Sequence, residues 1–76
     1  MNLDILKESN IELCRNMYAL SMNYLKNKDN LKLKYLLEYL YELEMLIREC
    51  SDGKLLMGHI RNLKFLCEKI EVIINE

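Results

Sequence analysis

The sequence has 76 residues, of which 51% are hydrophobic and 30% charged, and its formal net charge is −1. This length allows one domain, and a charge so close to zero gives no long-range attraction to nucleic acid or an anionic membrane. No apolar run approaches the roughly 20 residues that span a bilayer, and the N-terminus lacks a secretory signal pattern. We therefore expect a cytoplasmic protein, and the abundance of Lys, Asn and Ile suggests an AT-rich bacterial or phage genome.

Residues 2–28 are predicted to form the first helix. Apolar residues recur there at alternating steps of three and four, which is the heptad pattern of a helix that packs along one face. The predicted seam consists of Leu3, Leu6, Asn10, Leu13, Met17, Leu20 and Tyr24. Asn10 is its polar member, and two interpretations stay open. It can fix register or oligomeric state by pairing with a polar group, or it can bind water near a helix end.

The most hydrophobic stretch, 31–50, predicts a second helix at the centre of the fold. A polar break at 27–30 precedes it, where Asp29 or Asn30 can cap the new helix. Its core stripe has helical spacing and is predicted to contain Leu33, Leu36, Leu40, Leu43, Ile47 and Cys50, widened by Tyr35, Tyr39 and Leu46.

A second apolar line runs along the other side of this helix. Leu37, Tyr41 and Met45 are spaced four apart, so they stack on one face and are expected to point away from the core. Tyr and Met are enriched at protein interfaces, and the line therefore predicts a protein-binding surface with Tyr41 as its anchor. Charged residues border the line and can orient a partner; they are Lys34, Glu38, Glu44 and Arg48.

The third helix is predicted over 54–76, after a turn at 51–53 in which a polar residue caps the helix and Gly53 suits a left-handed or tight link. Phe65 and Val72 lie seven apart on its polar side and predict a secondary interface. Its core stripe is predicted to contain Leu56, Ile60, Leu63, Cys67, Ile70 and Ile74, flanked by Leu55, His59, Leu66 and Ile73.

Three cysteines, Cys14, Cys50 and Cys67, cannot all pair within one chain, and none forms a Cys-x-x-Cys motif. Cys14 falls at the edge of an apolar face, and the other two fall within one. We therefore expect small core side chains, with neither a disulfide framework nor a metal site.

His59 is the single histidine and carries the alternative functional hypothesis, a His-centred phosphotransfer or phosphatase-like signalling bundle. Such chemistry needs a nucleophile or an orienting carboxylate close to the imidazole. The acidic residues fall on polar faces, whereas His59 lies on the apolar stripe. The sequence therefore favours a structural histidine at the edge of the core.

Glu38, Glu42 and Glu49 share one face of the second helix, where a divalent cation could be held. A di-metal bundle would also need inward Glu-x-x-His pairs, and the sequence has none. We expect a solvated face with ion pairs Lys34–Glu38 and Glu44–Arg48, and no metal or cofactor.

Four lysines, with tyrosines and asparagines between them, surround the first turn and suggest a second alternative, nucleic-acid binding. They are Lys26, Lys28, Lys32 and Lys34. In an up-down-up bundle, the end of the third helix returns to this place with Glu68, Glu71 and Glu76 and offsets their charge. Nucleic-acid binding is therefore disfavoured.

The predicted fold is an all-α antiparallel three-helix bundle, because three amphipathic helices are joined by short connections. A chain of this size buries only roughly 60% of the surface of its unfolded form, and its apolar residues exceed what one small core accepts. The sequence therefore predicts a non-catalytic protein-binding module, an inhibitor or regulator, that binds a foreign protein or forms a homodimer.

Overall fold

A computed structural model describes residues 2–76 and shows three helices: α1 (Leu3–Leu25), α2 (Leu31–Glu49) and α3 (Gly53–Ile74). The two connections are short, so α2 runs antiparallel to both of its neighbours. Each helix contacts the other two, and the bundle measures 41 × 17 × 16 Å. The predicted all-α three-helix bundle is confirmed.

Each helix begins at a side-chain cap. The Oδ1 atoms of Asn2, Asn30 and Asp52 accept hydrogen bonds of 2.8 to 3.0 Å from backbone N–H groups in the first turn that follows. A cap of this kind contributes about 1 kcal/mol. Gly53 is the first residue of α3 and has no positive φ, so of its two predicted roles the left-handed cap after Cys50 is wrong. Asp52 ends the turn in an extended conformation, which makes a left-handed residue unnecessary.

The core is formed mainly by α2 and α3, as their spacing predicts. Leu40 is 1% exposed, at the middle of α2, and confirms the helical phase of that stripe. Ile60, Ile74 and Leu36 pack at the edge of the core. The fully buried apolar residues of α2 and α3 are Leu33, Leu40, Leu43, Ile47, Leu56, Leu63 and Ile70.

The buried line of α1 differs from the predicted seam. Leu13 and Leu20 are 39% and 55% exposed, whereas Cys14 and Ser21 are fully buried on either side of Met17. Small residues at the contact allow helices to approach closely, and the larger leucines are displaced to the side. The prediction that Leu13 and Leu20 lie in the core is therefore wrong, and Cys14 lies at the centre of its face rather than at the edge.

Two predictions for α2 are also wrong. Tyr35, Tyr39 and Leu46 are exposed and do not widen the core stripe. Leu37, expected outside the core, is 6% exposed and belongs to it. The reason is the position of α1, which covers the side of α2 that carries Leu37 and leaves the side that carries Tyr39 open.

Polar side chains within α1 are satisfied locally. Asn10 is half-buried, and its Nδ2 donates to the Leu6 carbonyl oxygen at 2.8 Å. Ser21 Oγ donates to the Met17 carbonyl oxygen at the same distance. Asn10 therefore bonds to its own helix, and this contact corresponds to neither of the two interpretations left open by the sequence.

Candidate protein-binding site

A groove runs between α1 and α2 on the outside of the bundle. It consists of two adjoining depressions of about 600 and 370 Å³, and Tyr18 and Tyr41 line both. The first is also lined by Met22, Leu25, Lys34, Leu37, Glu38 and Glu42, and the second by Cys14, Arg15, Ala19, Leu40 and Glu44. We call this surface the α1/α2 groove.

The groove has a packed floor and apolar walls. Leu37 and Leu40 form part of the floor and belong to the core. Tyr18 and Met22, one turn apart on α1, rise beside it, and both are exposed. Tyr41 stands opposite them on α2 and is 63% exposed. A rigid floor under exposed aromatic and thioether groups is a geometry that receives an apolar side chain.

The predicted binding line on α2 is therefore only partly exposed. Tyr41 points outward as expected, and Met45, one turn further along, is exposed as well. Leu37 contributes to the floor and not to the exposed line, which corrects its predicted position. Its role in binding stays a prediction.

One of the two predicted ion pairs is present. Arg48 Nη2 lies 2.8 Å from Glu44 Oε2, one turn apart on α2. Lys34 Nζ instead contacts Asp29 Oδ1 at 2.6 Å, so the predicted Lys34–Glu38 pair is wrong. Lys34 lies in the first turn of α2, within reach of the preceding connection, and it lowers the pKa of the Asp29 carboxyl. Both partners are exposed, so this pair contributes little to stability.

The two rims of the α1/α2 groove carry opposite charges. Glu38 and Glu42 line it from α2, and Arg15 lines it from α1. Within residues 2–76, none of these three side chains forms a salt bridge. Their charges are consequently available to a partner.

The α1 wall of the groove was not predicted as a binding surface. Tyr18, Met22 and Leu25 are spaced four and three apart, which is the signal that could have identified it. Tyr18, Met22 and Leu25 all lie outside the seam that hydrophobic periodicity predicts for this helix. The wall becomes recognisable only when the rotation of α1 about its axis is known.

A second, smaller depression of about 260 Å³ lies between α2 and α3. Tyr39 and Phe65 stand at its rim, and Phe65 is 65% exposed. Val72 is exposed further along α3, so Phe65 and Val72 both point outward as predicted. The other lining residues are Leu36, Asn62, Leu66 and Lys69. We call this surface the α2/α3 groove.

His59 is half-buried near the end of the bundle, where α2 meets α3. Glu49 and Asp52 line the same depression, but the Asp52 carboxylate caps α3. In the described part of the chain, the imidazole has neither a hydrogen bond nor a salt bridge. The orienting carboxylate that phosphotransfer or phosphatase chemistry requires is thus not bonded to this histidine.

The lysines near the first turn have partners of their own. Lys34 contacts Asp29, and Lys28 Nζ lies 5.4 Å from the centre of the Tyr24 ring. The Asp29 carboxylate offsets the charge of Lys34, one of the four on which the nucleic-acid hypothesis depends, whereas Lys28 keeps its charge beside the neutral ring.

All three cysteines are free and buried, as the sequence predicts for core residues. Burial raises the pKa of the Cys14 thiol to about 11, and the nearby Glu44 carboxylate and Cys67 add to the effect. Burial, with Glu71 and Glu68, also raises the pKa of Cys67. Both thiols are therefore protonated and unreactive at neutral pH.

Comparisons of the chain with protein families, with curated proteins and with solved structures give no match. Across residues 2–76, no three His, Cys, Asp or Glu side chains converge where a metal ion could be held. None of the helices in this part of the chain has the length and hydrophobicity to cross a bilayer.

Proposed function

We propose that this chain is a non-catalytic protein-binding module, an inhibitor or regulator, that binds its partner through the α1/α2 groove. The observation that carries the proposal is the exposure of Tyr41 above a floor that belongs to the hydrophobic core. Tyrosines of this kind dominate the binding free energy of protein interfaces, because they bury a large area without losing many rotamers.

The surroundings of Tyr41 support the same proposal. Tyr18 and Met22 extend the apolar surface across the groove, and Met45 extends it along α2. Contiguous exposed apolar surface on a small domain is typical of an interaction site. Glu38 and Glu42 provide the polar rim that fixes a partner's orientation.

The proposal is tested with Tyr41→Glu, which places a charge at the centre of the groove. We expect association with protein partners and with other copies of the chain to weaken at least tenfold, about 1.4 kcal/mol. Helicity and the unfolding midpoint of the monomer should change little, because the side chain is exposed. Light scattering of the purified chain and capture experiments with immobilised chain provide the measurements.

Tyr39→Glu is the matched control, since Tyr39 is an exposed tyrosine on the same helix but lines the α2/α3 groove. It should retain the associations that Tyr41→Glu loses. Tyr41→Ser repeats the test without a charge. The proposal fails if both Tyr41 variants keep the wild-type associations, or if the α2/α3 control loses them equally.

A further inference from the structure

We propose that the occupant of the α1/α2 groove is a second copy of this chain, related to the first by a two-fold axis parallel to the helices. This inference rests on the proposed binding role of the groove. Beyond that role, we specify the partner and its orientation. The orientation is fixed by a charged pair formed twice, between Arg15 of each copy and Glu42 of the other.

The charges on the two rims favour a two-fold axis parallel to the helices. Arg15 lies on the α1 rim, and Glu38 and Glu42 lie on the α2 rim. A half-turn about an axis along the bundle brings the α1 rim of one copy over the α2 rim of the other. The basic rim then meets the acidic rim twice, once on each side of the interface. Such electrostatic complementarity specifies the register of an interface.

The register of the bundle places the charged residues at matching heights. Lys7 Nζ donates to the Arg48 carbonyl oxygen at 3.2 Å, which brings these two residues together across the antiparallel pair of α1 and α2. Arg15 and Leu40 lie eight residues from that contact on their helices and line the same depression, so they are at about the same height. Glu42 lies about 3 Å further at 1.5 Å per residue. An axis parallel to the helices leaves heights unchanged, and an arginine side chain spans the remaining offset.

The other face-to-face arrangement is electrostatically unfavourable. An axis across the helices would lay α2 on α2 of the second copy in antiparallel fashion. The rim that carries Glu38 and Glu42 would then face itself, and like charges placed opposite each other weaken association. Lys34, the cation of the same rim, is already paired with Asp29. The parallel axis is therefore the arrangement that the charges select.

The side of the bundle that carries the groove is comparable in size with the interface of a stable dimer. The bundle is 41 Å long and 17 Å wide, so the projected area of one whole side is about 700 Å². A standard specific interface buries about 800 Å² on each partner. Tyr18, Met22 and Tyr41 would form its apolar centre, and the exposed Ala19 beside them is small enough to let the helices of the two copies approach.

Charge reversal on the purified full chain tests the inference by sedimentation velocity over a range of concentrations. We expect wild-type dimers, and at least tenfold weaker dimerisation for both Arg15→Glu and Glu42→Arg. The double variant, Arg15→Glu with Glu42→Arg, restores the opposite pair on both sides and should dimerise within about threefold of wild type. This restoration is expected only if both residues belong to the same interface.

Lys69→Glu is the control, because it reverses a charge in the α2/α3 groove and should leave dimerisation unchanged. Circular dichroism melts confirm that each variant is folded. A wild-type chain that stays monomeric up to about 1 mM overturns the inference, as does a double variant no better than either single one. Either result leaves binding of a foreign protein in the groove to be decided separately by Tyr41→Glu.

Discussion

The two grooves that flank α2 are built alike and charged differently. Each has a core leucine in its floor, Leu40 in the α1/α2 groove and Leu66 in the α2/α3 groove, with exposed aromatic side chains at the rim. The α1/α2 groove is larger and has unpaired charges of opposite sign on its two helices. The α2/α3 groove is lined by one cation, Lys69, with no anion opposite.

The floors of the two grooves contribute to stability in the same way, whereas the charges at their rims differ and can affect recognition of a partner. Apolar exposure alone would favour both grooves equally, since Phe65 is as exposed as Tyr41. Of these two grooves, the α1/α2 groove is the one that joins apolar exposure to charges of opposite sign that could select a partner and its orientation. We therefore expect substitutions in the two floors to lower stability to a similar extent. Substitutions at the two rims should differ in their effect on association.

The largest effect is expected in the floors. Leu40→Ala and Leu66→Ala each remove a buried side chain, which costs about 2–5 kcal/mol, while the total stability of such a domain is of order 5 kcal/mol. Both variants should be largely unfolded or melt far below wild type in a calorimetric scan. A midpoint lowered by only a few degrees in one of them would show that the corresponding floor is not part of the core.

A pH-dependent effect of intermediate size is expected at the α1/α2 floor. The pKa of Cys14 is about 11 in the folded chain, against about 9 when unfolded, so the unfolded chain loses its proton first. The stabilisation is complete below pH 9 and is lost as pH rises to 11. At about 1.4 kcal/mol per pKa unit, the loss is on the order of 2 kcal/mol.

Urea unfolding of wild type and Cys14→Ala between pH 8 and 11 measures this effect. The variant is less stable at every pH because it leaves a cavity, but its stability should fall less steeply above pH 9. Groups that do not interact with Cys14 contribute equally to both proteins and cancel in the difference. Parallel curves for the two proteins would show that the Cys14 thiol does not couple to folding.

The sequence was sufficient to predict the fold and the core of two helices. Leu40 and Leu63 belong to stripes that keep the helical period along α2 and α3, and all the fully buried residues of these two helices lie on those stripes. In α1, by contrast, hydrophobicity predicts that Leu13 and Leu20 are buried in the core rather than Cys14 and Ser21. Packing selects the smaller residues, because the distance between helices is set by what lies at their contact.

The candidate site was predicted only in part, because it too depends on how α1 packs against α2. Tyr41 could be identified because it lies opposite the core stripe, whatever the position of the neighbouring helices. Leu37 and Tyr39 are on either side of that stripe, and their exposure depends on where α1 lies. Arg15 and Glu42 could be recognised as opposite rims only once α1 and α2 were known to form one groove.

Substitutions at the rims are expected to have the smallest effect on the stability of the monomer. Their effect on association, however, distinguishes the two grooves most directly. Tyr41→Ser and Phe65→Ser change exposed side chains, so each should alter the stability of the dilute monomer by less than about 0.5 kcal/mol. Dimerisation stabilises the folded state by mass action, and the wild-type melting midpoint should rise with protein concentration. Tyr41→Ser should abolish this rise and Phe65→Ser should preserve it, because only Tyr41 lies in the proposed interface. A rise that survives Tyr41→Ser and disappears with Phe65→Ser would assign self-association to the α2/α3 groove and reverse the comparison.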